Sequence, residues 1–139
     1  MPDETLTQQD AEHLRLLSIF HYVMAGLLAL FACFPIFHLV LGSLIVLGPG
    51  LSGHGPESIP VVLIGGFFMV FAAVVMLGGW LFSACVVLAG RALVQRRRYV
   101  FCLVVAGIEA ALCVPFGTAL GICTIVVLLR PTVKQAFGA

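Results

Sequence analysis

Charge is scarce in this chain. Only 9% of its 139 residues are Asp, Glu, Lys or Arg, while 62% are hydrophobic; soluble domains carry about a quarter charged residues. A soluble fold of this size leaves much of its surface exposed and has no way to hide so much apolar area. Lipid is therefore the expected solvent. The formal net charge of +1 gives nucleic-acid binding no electrostatic support. Ligand spacings are missing as well. Cys33, Cys85, Cys102, Cys113 and Cys123 stand singly in apolar runs, with no Cys-x-x-Cys or Cys/His spacing. They read as small buried hydrophobes, a Cys113–Cys123 disulfide being the alternative. No Ser-His-Asp set, phosphate loop or metal cluster occurs, so neither catalysis nor a cofactor is expected. A bis-histidine haem site needs two histidines at one depth. His21 and His38 share one segment, roughly 25 Å apart by helical rise.

What is present is a series of long apolar runs. Residues 1–15 are polar and of mixed charge, with a capping box at Thr7-Gln-Gln-Asp10, and are predicted to form an amphipathic segment at the membrane surface. Asp3 and Glu4 occupy the place of a positive signal-peptide n-region, so the following apolar run is expected to be retained. Leu16–Leu47 and Ile59–Gly90 are each 32 residues without a formal charge, longer than the roughly 20 that an upright crossing needs. Pro35 offers a kink in the first. His21 and Tyr22 suit the interface beside it. Trp80, deep in the second, is expected to pack between helices. A Gly/Pro-rich loop, residues 48–58, separates the two runs. Tyr99–Leu129 is divided by Pro115-Phe-Gly117 into segments of 16 and 13 residues. They reach roughly 24 and 20 Å, short for a hydrocarbon core of about 30 Å, so this hairpin either spans or is re-entrant. A tail follows from Pro131. The predicted fold is an all-α integral membrane bundle of four segments, approximately 16–47, 59–90, 99–114 and 117–129: two long helices and a shorter hairpin.

Arg91, Arg96, Arg97 and Arg98 are four of the seven basic residues. By the positive-inside rule they place the loop between the second and third segments in the cytoplasm. Both termini then lie inside, and no Lys or Arg lies outside. The same arginines suit contact with anionic headgroups or with an acidic partner.

Glu109 is the only formal charge within an apolar run. Ten residues after Tyr99, it lies about 15 Å along its helix, near the bilayer midplane. A charge there costs several kcal/mol. Cys102, Ala106, Glu109, Ala110 and Cys113 fall on one helical stripe of about 100°, and Gly117, Gly121 and Thr124 form a matching small face. The two faces are expected to meet, with Thr124 in reach of Glu109 and His38 as a second candidate partner. Glu109 then has two readings: a proton- or cation-responsive site, or a protonated acid that fixes packing. Gly79 and Ser83 form a further small-xxx-small pair.

Leu16-Leu-Ser-Ile-Phe-His-Tyr22, Gly90-Arg91 with its arginine run, Pro115-Phe-Gly-Thr-Ala-Leu-Gly121 and Arg130-Pro-Thr-Val-Lys134 resemble segments of small bacterial multi-pass membrane proteins without an assigned function. The resemblance implies a bacterial inner-membrane location and no activity. The expected function is that of a non-catalytic structural or accessory subunit, packed in the bilayer against other membrane proteins or copies of itself. The alternative is a small oligomeric transporter or channel with Glu109 in its pathway.

Overall fold

A computed structural model describes residues 8–52 and 58–138, and these are helical apart from short turns, with no strand among them. Thr7 of the capping box and residues 53–57 of the expected 48–58 loop lie outside the described residues, while residues 48–52 of that expected loop are helical and Ser58 opens the next helix. α1 runs Gln8–Ala32, α2 Ile36–Ser52, α3 Ser58–Gln95, α4 Tyr99–Leu112, α5 Phe116–Leu128 and α6 Pro131–Ala136. Two stretches are long and apolar enough to cross a membrane: Gln8–Gly48, which includes a turn at Pro35, and Val62–Gln95. In the most apolar window of each, only 11% of residues are buried. A core helix of a soluble protein would be mostly covered.

Backbone chemistry sets the breaks. Pro35 has no N–H to donate. The amides of Cys33 and Phe34 reach back only three residues, to the carbonyls of Leu30 and Phe31 at 3.1 and 3.0 Å. The first apolar run is thus two helices rather than one bent helix. At the end of α3 the Arg97 amide donates to the Ala92 carbonyl (3.0 Å) and the Arg96 amide to that of Leu93 (3.3 Å). That pair of bonds is a Schellman ending, with Arg96 in the left-handed position that glycine normally takes.

The described residues divide into two compact units. The second holds residues 27–82. In it α2 and α3 cross at two glycines. A Cβ on Gly42 would stand 2.7 Å from the Met69 side chain, and one on Gly65 would stand 3.0 Å from Ile45 and Val46. Gly79 lies against the Ala32 methyl. Trp80 is half exposed, not packed between helices, because the close contact of its turn belongs to Gly79.

The first unit holds the described residues up to Gly26 and from Ser83 onward. Its core includes Leu14, Leu17, Leu93, Cys102, Leu128 and Val133. One polar clamp fixes the start of α1. Asp10, 4% exposed, accepts from the Arg130 guanidinium at Oδ1 and from the Thr132 hydroxyl at Oδ2, both at 2.9 Å. These bonds join the first turn of α1 to the first turn of α6. Tyr99 also ties α4 to α5, its hydroxyl donating to the Leu128 carbonyl at 3.1 Å. Hydrogen bonds to a charged group contribute about 1.5–3 kcal/mol, less where a partner such as Arg130 is half exposed. Replacing Asp10 by Ala should therefore lower stability by about 1–3 kcal/mol, read as a lower melting temperature of the purified protein in detergent.

Candidate functional site: a buried histidine–glutamate pair

The clamp sets a depth scale for the first unit. His21 lies eleven residues beyond Asp10 in α1 and Glu109 ten beyond Tyr99 in α4, so His21 is about 16 Å beyond the clamp and Glu109 about 15 Å along its helix. They meet. His21 Nε2 stands 3.3 Å from Glu109 Oε2, and both side chains are 0% exposed. Neither of the two atoms has any other polar partner among the described residues, and Glu109 Oε1 has no hydrogen-bond partner. His21 is thus enclosed within the unit, while Tyr22 beside it is exposed. α1 begins at Gln8, eight residues before the uncharged run, and carries His21 into the interior.

Two glycines seat the pair. A Cβ on Gly90 in α3 would lie 3.3 Å from the His21 Cβ, and one on Gly117 in α5 would lie 3.3 Å from Glu109 Cγ and 2.8 Å from the Glu109 carbonyl oxygen. Helix contacts on either side are closed by hydroxyls. Ser18 of α1 donates to the Gly90 carbonyl at 2.8 Å, and Ser83 of α3 donates to the Ala25 carbonyl at 2.7 Å. Gly121 lies against Ala106 and Ala110, and its Cβ would collide with the Ala106 carbonyl oxygen. The small faces of α4 and α5 are thus in direct contact.

The remaining residues singled out in the sequence lie elsewhere or bond differently. Thr124 is fully buried, but its hydroxyl donates to the Leu120 carbonyl one turn back (2.8 Å) and not to Glu109. Intrahelical bonding of this kind is the usual resort of a buried threonine in a helix. His38 belongs to the second unit. Its ring stacks on Phe68 at 6.4 Å and contacts Phe34 at 5.9 Å, and the histidine that faces Glu109 is His21. The arginine loop is divided in two. Arg91, Arg97 and Arg98 share a cleft of about 340 Å³ with Leu88, Gln95 and Phe101. Arg96 lines a separate cleft with Arg15 and Tyr22. Arg96 and Arg98 both have left-handed backbones, with φ of 52° and 56°.

Sequence reasoning missed His21, Gly90 and Ser18. The available signal was a stripe on α1: Ser18, His21 and Ala25 recur at helical spacing and are all buried. Among the described residues no group of three or more His, Cys, Asp or Glu side chains is placed to hold a metal.

Comparison with known protein families, curated proteins and solved structures gives no match to the chain. The reading of the site therefore rests on its own geometry.

The glycines permit a direct contrast. Gly117→Ala forces a methyl against Cys113 and Glu109 and should cost about 1–3 kcal/mol. Gly107 has open space at its Cβ, so Gly107→Ala should be neutral or stabilise the helix by up to about 1 kcal/mol. Thermal unfolding of the two variants side by side checks the close α4–α5 approach.

Proposed function

We propose that the chain is a multi-pass membrane protein of four segments, with the arginine loop and both ends on the cytoplasmic side. We propose further that it works as a non-catalytic accessory subunit. The observation that carries the membrane reading is that only 11% of the most apolar window of each of its two longest apolar stretches is buried. Apolar side chains in that state need lipid or another protein around them. The cleft of Arg91, Arg97 and Arg98 supports contact with anionic headgroups, since cations at the end of an apolar span favour that surface.

The accessory reading is supported by how polar chemistry is distributed. Asp10, Ser18, His21, Ser83, Glu109 and Thr124 are all buried. The outward faces are lined by residues such as Leu30, Phe31, Phe67, Leu81 and Val100. Gly26, Gly66, Gly78 and Gly107 have open space at the Cβ position. Small residues on an apolar helix let a neighbouring helix approach closely, and these four supply such places for a partner. The expected outcome is recovery of a stoichiometric membrane partner with the wild-type chain. Gly78→Leu or Gly107→Leu should lose that partner while leaving the melting temperature of the isolated chain unchanged. Wild-type protein recovered alone from native membrane would refute the accessory reading.

A second reading, a small oligomeric transporter or channel, is favoured by one observation: an acid and a histidine placed together within apolar helices. Intramembrane ionisable residues commonly mark ion or proton pathways. If the chain conducts, liposomes containing it should show a pH-dependent flux that Glu109→Gln abolishes. Flux equal in the variant and the wild type would exclude Glu109 from the pathway.

A further inference from the structure

The hydrogen-bond inventory of the His21 ring restricts its protonation more tightly than burial alone. His21 Nδ1 lies 2.8 Å from the Leu17 carbonyl oxygen. A carbonyl only accepts, so Nδ1 carries the hydrogen and donates it. In the neutral ring, Nε2 is then a bare lone pair. That lone pair faces Glu109 Oε2 at 3.3 Å, and a carboxylate oxygen is also an acceptor. Two acceptors facing each other without water repel unless a proton stands between them. One proton resolves the contact in either of two ways. It is held on Oε2, giving a neutral acid beside a neutral ring, or on Nε2, giving a carboxylate beside an imidazolium. Both arrangements have zero net charge. Removing the proton leaves an uncompensated carboxylate in an apolar interior, which is strongly unfavourable.

We propose that His21 and Glu109 together form a proton-binding site that holds one labile proton between Nε2 and Oε2, with the Leu17 carbonyl fixing the tautomer. The ligand is the proton itself. The bound proton joins α1 to α4. Its loss to water requires those helices to part, because both side chains are fully enclosed. Proton occupancy is thereby linked to the packing of the unit.

No other described group is placed to take over this role. From α1, Ser18 is occupied as a donor to Gly90. The α3 stretch from Ser83 to Gly90 contains Cys85 as its one titratable residue. On α4, Cys113 neighbours Glu109, and Cys102 directs its thiol to the carbonyls of Ala89 and Arg97. From α5, Gly117, Gly121 and Thr124 bring no titratable group, and Cys123 is exposed. Cys113 is a thiol and would add a separate transition, which Cys113→Ser would remove. The inference does not depend on the accessory function. Its failure would leave the recovery of a partner untouched.

The test uses the full chain in lipid nanodiscs. Nitrogen NMR of His21 and infrared spectroscopy of the Glu109 carboxyl are followed through one pH titration of the wild-type protein. The expected result is Nδ1 protonated throughout and a single transition that appears at the same midpoint in both signals. The infrared change should vanish in Glu109→Gln. In His21→Gln, which keeps a polar side chain in place, the carboxyl midpoint should move by at least tenfold in proton concentration. The proposal is overturned by protonation of Nε2 with a bare Nδ1, by separate midpoints for the two residues, or by no transition over the range in which the protein stays folded. Because the two spectra are recorded on the wild type, a variant that does not fold leaves the decision intact.

Discussion

A carboxyl group sealed from water must have a compensating neighbour, and in this fold the neighbour is His21. Much of the first unit is arranged around that requirement. The Asp10 clamp to Arg130 and Thr132 sets the register of α1, so that a residue eleven positions on arrives at the level of Glu109. Gly90 and Gly117 remove the side chains that would otherwise hold α3 and α5 away from the pair. Ser18 and Ser83 bind α1 to α3 by reciprocal hydroxyl-to-carbonyl bonds. Each such bond is modest, about 0.5–2 kcal/mol in an apolar setting. Their joint effect is positional: they fix how far α1 can slide or rotate, and hence whether Nε2 faces Oε2.

The helical class was legible because composition and run length admit little else. A disturbance at Pro35 was legible too, from its missing amide hydrogen, although it was read as a kink and is a break between α1 and α2. The small faces of α4 and α5 could be read from periodicity because they belong to neighbouring segments joined by a short turn. The partner of Glu109 was not legible, for a definite reason. Its depth can be counted from Tyr99, but the depth of a histidine on α1 depends on where that helix begins. The capping box marks a helix start near Thr7 and α1 indeed runs from Gln8, but the sequence reads residues 1–15 as a surface segment apart from the run that starts at Leu16, whereas one helix anchored through Asp10 contains both. Asp10, read as the last member of a capping box, instead clamps α1 to Arg130 and Thr132. Thr124 shows a second limit. A threonine has an acceptor one turn back in its own helix, and pattern alone does not reveal whether its hydroxyl will use it.

Sealing of the pair bears on which functional class it suits. A conduit needs its ionisable group to reach water from each side in turn. In the first unit both members are at 0% exposure and lie against Gly90 and Gly117. Access therefore requires movement of α1 against α4, not a side-chain swing. A group that can lose its proton only when helices separate suits the stabilisation of one packed state better than continuous conduction. This favours a subunit whose packing is conditional, and it makes any transport role dependent on a larger rearrangement of the same helices.

The arginine loop gives an independent line of argument through strain. A non-glycine residue in the left-handed region costs roughly 1–2 kcal/mol, and Arg96 and Arg98 both adopt it. Glycine would close the α3 Schellman ending at lower conformational cost. Such outliers point toward function when the surroundings hold them in place. Here their consequence is spatial. The sharp ending sends Arg96 into one cleft and Arg97 and Arg98, with Arg91, into another. Among the described residues, neither cleft is lined by an acidic side chain. A loop needed only to join two helices gains nothing from cations at strained positions. On the proposed membrane reading, a loop that holds one side of an apolar protein at an anionic surface gains from every one of them, which would account for arginine at positions where glycine would fit the backbone better.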